Sequence, residues 1–175
     1  MYKKSYQTSE AKEVVQQMRI DRQTAAEYIL NFAEYQKQYN KAKKDKLTMS
    51  KEYYQTGKDK HPVETAVIRS VKYDTNSPMF AWLQAVKITL QTYGERKRIF
   101  IEVRQRAEEQ RKRFGKRQHN SWVLYVQKHY AEEIEARFIG CDGWLGERTI
   151  QSWWQQILDR TVEVHLRIAN NAEKK

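Results

Sequence analysis

The feature that most constrains this sequence is how rarely it interrupts a helix. Six glycines and two prolines occur in 175 residues, and strong helix formers fill the segments between them. Since glycine and proline are the residues that most often end helices, long elements are expected. Apolar residues recur at spacings of three and four, which is the period of a helix face rather than of a strand. The sequence therefore predicts an all-α protein, built as a multi-helix bundle.

Capping residues and apolar periods indicate where the helices begin. Residues 9–18 carry the first apolar stripe, and Thr24 is expected to be the N-cap of a second helix. Later helices are expected to begin at four further places: His61-Pro62, residues 76–78, the segment after Gly94, and Asn120-Ser121. The apolar run at residues 99–103 could also suit a strand, but its charged, helix-prone flanks favour a helix.

The chain is strongly basic, with 33 Lys and Arg against 22 Asp and Glu and a formal net charge of +11. A charge of this size predicts an anionic partner, for which nucleic acid is the commonest choice and an acidic membrane surface the rival. No apolar run approaches the roughly 18 residues of a membrane span. Nucleic acid is therefore the expected partner, and a membrane is not.

The N-terminus and the cysteine content indicate the compartment. The opening Met1-Tyr2-Lys3-Lys4 leads into a polar segment without the apolar stretch of a signal peptide. Cys141 is the only cysteine, so no intrachain disulfide can form, as suits a reducing compartment. We therefore expect a cytoplasmic protein.

Glycines between two apolar-periodic segments predict a helix-turn-helix near the C-terminus. The first helix should end near Phe138, and a glycine-rich turn with Trp144 or Leu145 as its buried anchor should follow. The second helix should open at Gly146 and turn these apolar residues inward: Ile150, Trp153 or Trp154, and Ile157. Such a pair can place its second helix in the major groove of DNA. An ordinary amphipathic helix pair would show the same pattern, and the net positive charge favours the DNA interpretation.

The outward positions of this second helix carry side chains that can read base edges. Arginine can read guanine, glutamine can read adenine, and glutamate can accept a hydrogen bond from cytosine. The predicted base-reading residues are Glu147, Arg148, Thr149, Gln151, Ser152 and Gln155. The N-terminal peptide groups of the same helix could also hold a phosphate.

A dense run of cations precedes this region. Residues 96–117 hold ten Lys and Arg against three Glu, which favours contact with the DNA backbone over a simple solvated helix face. Such contacts position a protein without specifying sequence. The predicted phosphate-contacting residues are Arg104, Arg106, Arg111, Lys112, Arg113, Lys116, Arg117 and Lys128.

Patterns typical of enzymes and metal sites are missing from the sequence. His129 with Glu132 and Glu133 has a metal-like spacing, but no matching second pair exists. Cys141 has no cysteine partner for zinc. No phosphate-binding glycine loop, Ser-His-Asp order or nuclease-type carboxylate cluster occurs. We therefore predict a non-enzymatic protein without a metal or other cofactor.

The C-terminal segment resembles a known family. Gly146-Glu147-Arg148-Thr149-Ile150, Trp153-Trp154 and Ile157-Leu158, after a helix containing Tyr130, are similar to the end of the RinA/ArpU-type phage late-transcription regulators. Residues 28–44, 62–67 and 95–100 resemble the N-terminal and middle parts of that family, so the resemblance is colinear over about residues 24–166. It implies a helix-turn-helix similar to that of bacterial sigma factors, and control of phage or prophage late genes inside a bacterial host cell.

These observations combine into one predicted organisation and function. We expect an N-terminal helical region at residues 1–47, a loop or linker at 48–61, a helical DNA-binding region at 62–169 with the helix-turn-helix near 122–160, and a frayed tail at 170–175. The predicted function is sequence-specific regulation of transcription on double-stranded DNA, as a homodimer or jointly with RNA polymerase. The aromatic residues between Tyr28 and Tyr39 are the expected polymerase contact.

Two alternatives stay open. A phage small terminase subunit is also a helical DNA binder, although its reading head usually lies at the N-terminus. A basic adaptor that binds RNA polymerase or a host protein without reading DNA would show the same charge.

Overall fold

The computed structural model describes residues 9–54, 77–114 and 121–173, and over these ranges the chain is helical with no strand. Its helices are α1 (Ser9–Leu30), α2 (Phe32–Tyr54), α3 (Pro78–Thr92), α4 (Glu95–Phe114), α5 (Trp122–Arg137) and α6 (Glu147–Glu173). The prediction of an all-α fold is confirmed. No helix in the described ranges is long and apolar enough to cross a membrane.

One face of helix α4 lies in the core of this bundle. Ile99, Phe100 and Ile101 are all buried, because α4 is covered on more than one side. It packs mainly against α5, with a smaller contact to α1, while α3 and α6 form the most extensive helix pair. Helix α1 joins the two pairs, and its Ala25 and Ile29 belong to the shared core.

The break expected at Thr24 is wrong, because α1 runs without interruption through this position. The hydroxyl of Thr24 donates to the carbonyl of Ile20 at 3.0 Å, which is a bond inside a helix rather than a cap. No glycine or proline lies in this part of the chain to stop the helix. The separation comes at Asn31, where only one residue divides α1 from α2 and its side chain donates to the carbonyl of Glu27 at 2.9 Å.

Part of the predicted loop and part of the predicted tail are helical. Helix α2 continues to Tyr54, so residues 48–54 are helical. Helix α6 continues to Glu173, so residues 170–173 are helical as well. The helix start predicted at His61-Pro62 lies outside the described residues.

Three other predicted boundaries are confirmed. Pro78 lies in the first turn of α3, where its missing N–H costs no hydrogen bond. Ser121 caps α5, and its hydroxyl oxygen accepts from the N–H of Val123 at 3.3 Å. Gly94 lies at the break between α3 and α4, and residues 99–103 are helical.

Candidate nucleic-acid interface

The connection between α5 and α6 is a turn at residues 138–146 that is built on glycine. Gly140 has φ +74°, a left-handed conformation that glycine adopts at little cost. Gly143 is buried against α5, where an added Cβ would lie 2.7 Å from the Cα of Ala131 and 2.9 Å from the Cβ of Ile134. The turn can approach α5 this closely only because Gly143 has no side chain.

Hydrogen bonds fix the rest of the turn. The carboxylate of Asp142 accepts from the N–H of Trp144 at 2.8 Å, and the side chain of Gln127 on α5 donates to the carbonyl of Leu145 at 3.1 Å. Leu145 is partly buried against the core, whereas Trp144 is 64% exposed. Of the two anchors left open by the sequence, Leu145 is therefore the one that holds the turn.

The helix pair around this turn is less compact than a simple helix-turn-helix, in which about three to four residues join the two helices. The connection spans residues 138–146, and α6 packs more extensively against α3 than against α5. Helix α6 is also 27 residues long and continues far past the turn. The assignment of this helix pair as a DNA-reading motif therefore stays a prediction.

The inner face of α6 joins the core as predicted, with one adjustment. Ile150 and Ile157 are fully buried. Trp153 and Trp154 are both only partly buried, so Trp153 lies at the margin of the core rather than inside it. The ring of Trp153 meets the rings of Phe100 and Tyr130 edge-on, with centroids 5.7 and 6.1 Å away, so α6 packs on α4 and α5 through aromatic contacts.

The outer face of α6 carries all six predicted base-reading side chains, and every one is exposed: Glu147, Arg148, Thr149, Gln151, Ser152 and Gln155. Their hydrogen bonds stay within the helix. Gln151 donates to Glu147 at 3.0 Å, and Gln155 donates to Asp159 at 3.2 Å. Bonds of this kind at a solvated surface exchange readily with water or a ligand, so the face is free to make new contacts.

Arg104 is the most deeply buried of the predicted phosphate contacts that the structure describes. It is only 8% exposed, pairs with Glu108 at 3.5 Å, and lies over the rings of Trp122 and Trp154 at 4.6 and 5.3 Å. Burial lowers the pKa of its guanidinium from the ordinary value, and the charge of Glu108 opposes that shift. A guanidinium enclosed in this way offers little surface to a phosphate, and its contact with DNA stays a prediction.

The other predicted phosphate contacts differ in how far they are already engaged. Arg106 pairs with Glu133 of α5 at 2.7 Å, Arg111 pairs with Glu108, and Lys112 donates to Asn31. Arg113 and Lys128 are exposed and form no ion pair with the residues described. Lys116 and Arg117 lie outside the described residues.

The pairing of Arg104 and Arg111 with Glu108 could have been predicted from their spacing in the sequence. Glu108 lies four residues after Arg104 and three before Arg111, which is the spacing of neighbours on one helix face.

Lys97 was not among the predicted contacts, yet its ammonium lies over the rings of Tyr93 and Trp153 and donates to Gln156 at 3.0 Å. It contacts α6 close to the predicted reading face.

The metal-like spacing around His129 produces a local contact. Its Nδ1 lies 2.7 Å from a carboxylate oxygen of Glu132, one turn along α5. Within the three described ranges, no group of three His, Cys, Asp or Glu side chains is placed to hold a metal ion.

Comparisons of the chain with protein-family models, with curated proteins and with solved structures find no significant match. The resemblance to the phage regulators therefore stays a prediction.

Proposed function

We propose that this protein binds double-stranded DNA in a sequence-specific manner, reads it with the exposed face at the N-terminal end of α6, and thereby regulates transcription. The observation that carries the proposal is the composition of that face. Six exposed polar side chains that can donate to or accept from base edges occupy the first three turns of a helix whose opposite face is buried in the core.

The support beneath this face suits recognition. Gly143 and Leu145 hold the preceding turn against α5, and Ile150 and Ile157 hold the helix against the core. Side chains that extend from a rigid helix lose less conformational entropy on binding than side chains on a loop. The N-terminal peptide groups of α6 add a partial positive charge at the end that would meet the duplex.

Charge supports association with DNA. The chain carries a net charge of +11, and Arg113 and Lys128 are exposed cations that can reach phosphates. One helix in one groove reads only a few base pairs, which is too short for a unique genomic site. We therefore propose that the chain binds as a homodimer or beside RNA polymerase.

The aromatic residues proposed for the polymerase contact are only partly accessible. Tyr28 is partly buried and stacks on Trp82 with centroids 5.8 Å apart, and Tyr39 is buried near Phe80. Exposed apolar residues at the start of α1, among them Val14, Val15 and Met18, add a further surface for that contact.

Duplex binding is tested first. A binding site is selected from random duplexes, and affinities for it and for a scrambled duplex are then measured at several salt concentrations. Arg148→Ala and Gln151→Ala should each weaken the selected site by about 1–3 kcal/mol and leave the scrambled duplex nearly unchanged. Arg167→Ala, an exposed arginine further along the same helix, is the matched control and should change neither. Equal losses for Arg148→Ala and Arg167→Ala, or affinities that do not fall with salt, contradict the proposal.

The regulatory role is tested in transcription with purified polymerase on a template that carries the selected site. The full chain should change transcript yield, and Arg148→Ala should remove that change. An unchanged yield, together with stimulated DNA cleavage or packaging, would instead indicate a small terminase subunit.

A further inference from the structure

A cleft of about 680 Å³ opens where the end of α1, the second half of α4 and the start of α5 meet. Its volume falls within the roughly 300–1,000 Å³ of small-molecule sites. It lies apart from the six base-reading side chains, none of which lines it. The residues that give it chemical character are Asn31, Arg104, Glu108, Arg111, Lys112 and Trp122.

The charges around the cleft favour an anion. Arg104, Arg111 and Lys112 line it together with two carboxylates, Glu27 and Glu108. Both carboxylates are already engaged, since Glu108 accepts from the two arginines and Glu27 accepts from the hydroxyl of Tyr35. A cation entering the cleft would have to displace those bonds, whereas an anion would meet donors.

Arg111 is held in place rather than free to move. Glu108 is 8% exposed, and its Oε1 accepts from both Nε of Arg111, at 3.0 Å, and Nη2, at 2.5 Å. A guanidinium has five N–H donors, so the bonds to Glu108 leave other N–H groups of Arg111 available to a ligand. The side chain of Arg111 is 48% exposed, which lets those donors reach a ligand. Lys112 is likewise oriented toward the cleft by its bond to Asn31.

The start of α5 contributes a second source of positive potential. Ser121 and Trp122 line the cleft, so the N-terminal end of a 16-residue helix lies at its wall. The first turn of α5 contains no acidic residue that would offset the partial positive charge of its peptide groups. In addition, Arg104 is more than nine-tenths buried in the cleft lining, and its Nε has no hydrogen-bond partner among the described residues.

We propose that this cleft binds a phosphate group, with Arg111 and Lys112 as its principal ligands and the first peptide groups of α5 completing the site. A guanidinium fork, an ammonium and helix N-terminal N–H groups are the donors that phosphate oxygens use most often in proteins. The group can be part of a free phosphate or phosphomonoester, or a phosphodiester of nucleic acid. The site goes beyond the proposed function and holds whether or not α6 reads DNA.

The first arm of the test uses the full chain and inorganic phosphate, without any DNA. Binding is followed by calorimetric titration in chloride buffer at constant ionic strength. Phosphate should bind, and Lys112→Ala should weaken it about tenfold, as expected for loss of one charge-assisted hydrogen bond. Arg113→Ala, the next residue on the same helix and not part of the cleft lining, is the matched control and should bind as the wild type does. Absence of phosphate binding, or equal losses in Lys112→Ala and Arg113→Ala, overturns the proposal.

A conservative variant separates binding from folding. Arg111→Ala leaves Glu108 without its main partner and can unfold the region, so Arg111→Lys is used beside it. Arg111→Lys should keep the melting temperature within a few degrees but weaken phosphate binding, since an ammonium cannot bridge Glu108 and phosphate as a fork does. Unchanged phosphate affinity in this variant contradicts the assignment of Arg111.

The second arm identifies the source of the phosphate. A nucleoside 5′-monophosphate and a short duplex without 5′-phosphates each compete against inorganic phosphate. If the duplex displaces phosphate from the wild type, and does so less well from Lys112→Ala, the site is assigned to the nucleic-acid backbone. If only the monophosphate displaces phosphate, the site is assigned to a free phosphomonoester. Competition by neither, or displacement that is equally strong in Lys112→Ala, counts against the site.

Discussion

Helices α4 and α6 are both highly charged and amphipathic, yet the structure places their charges differently. Helix α4 carries most of the cations that the sequence assigned to phosphate contact, but seven of its residues are buried, including Arg104 and Glu108. The first turns of α6 carry fewer charges, and their polar side chains all lie exposed on one side. Part of the charge of α4 is therefore paired inside the protein, whereas the polar groups at the start of α6 all face solvent.

The difference follows from the position of each helix. One face of α4 packs against α5 and α1, and three of its arginines, Arg104, Arg106 and Arg111, pair with carboxylates: Glu108 on α4 itself and Glu133 on α5. The N-terminal half of α6 has solvent on its outer side, and the six base-reading side chains there bond only along the same helix. The number of positive charges in a segment therefore indicates its attraction for an anion only when the ion pairs formed within the protein are also known.

The largest expected effect tests the buried face of α4. Phe100 is fully buried between α5 and α6, so Phe100→Ala should reduce the free energy of unfolding by about 3–5 kcal/mol in denaturant titration. Trp144→Ala in the turn before α6 should change it by no more than about 0.5 kcal/mol, because that ring is exposed. Similar losses in the two variants would show that the contrast between the regions is mistaken.

A second effect tests the charge pairs of α4. Glu108→Ala leaves the guanidinium of Arg104 buried without its carboxylate, and we expect a loss of about 2–3 kcal/mol, below the roughly 3–5 kcal/mol for a fully enclosed pair. Glu109→Ala, the exposed neighbour, should cost less than about 0.5 kcal/mol. Denaturant titration of both variants at neutral pH gives the comparison, and equal values would mean that the Arg104 pair adds nothing.

A third effect tests the turn that positions α6. Gly143→Ala places a Cβ 2.7 Å from the backbone of Ala131, so the turn must shift, and we expect a loss of about 1–3 kcal/mol. Gly146→Ala is the matched control, since its Cβ meets nothing within 4 Å and its φ is not positive. That variant should lose less than about 1 kcal/mol, since Gly146 precedes the first residue of α6 and alanine is only a slightly poorer N-cap residue there in energy. A tolerated Gly143→Ala would mean that the turn does not depend on this close approach.

A fourth effect is the pH dependence of stability that Glu108 gives to α4. Burial alone would raise the pKa of Glu108, but hydrogen bonds and charges from Arg111 and Arg104 outweigh it and lower the pKa below the ordinary 4.5. The unfolded chain takes up this proton first as the solution is acidified, so the stabilisation is complete above about pH 4.5 and is lost as pH falls through the lower folded pKa. Glu108→Gln should flatten this acid limb of stability against pH, and Glu109→Gln should not.

The smallest expected effect concerns the far end of α6. His165 stacks on Trp82 with centroids 3.7 Å apart, and burial lowers its pKa below 6.5, against a weaker opposing effect of Asp21. Since the unfolded chain holds the proton more tightly, stability is complete above about pH 6.5 and falls as the solution is acidified toward the folded pKa. His165→Phe keeps an aromatic stack and removes the proton site, so it should abolish this part of the pH dependence. A His165→Phe variant that retains the same slope between these pH values would contradict the assignment.

Several features were predictable because they depend on neighbours in the chain. Scarce glycine and proline predicted long helices, and Ser121 predicted the start of α5. The period of three and four predicted which side of α6 faces inward, since residues at these spacings share a face of any helix. The exposure of all six base-reading positions follows from the same period.

The apolar stripe of α1 marks where local pattern stops being informative. Ala25 and Ile29 are buried in the core, while Val14, Val15 and Met18 earlier on the same helix are about half exposed. Sequence predicts only that a stripe exists, because hydrophobic burial requires a covering surface that the helix does not itself provide. Which half of α1 is covered depends on where α3, α4 and α6 end.

By itself, the sequence determined the helical class, most of the helix boundaries and the polar face of α6, since each of these depends on residues within a few positions of one another. Only the tertiary structure decided that Arg104 is buried over two tryptophans, that Gly143 meets the backbone of Ala131, and that Lys112 reaches Asn31 across a cleft. Each of these contacts joins residues from different elements of the fold. Such contacts depend on how the helices pack. The charge and size of a residue and the apolar period of its helix describe that helix alone, and they do not say which neighbouring element packs against it.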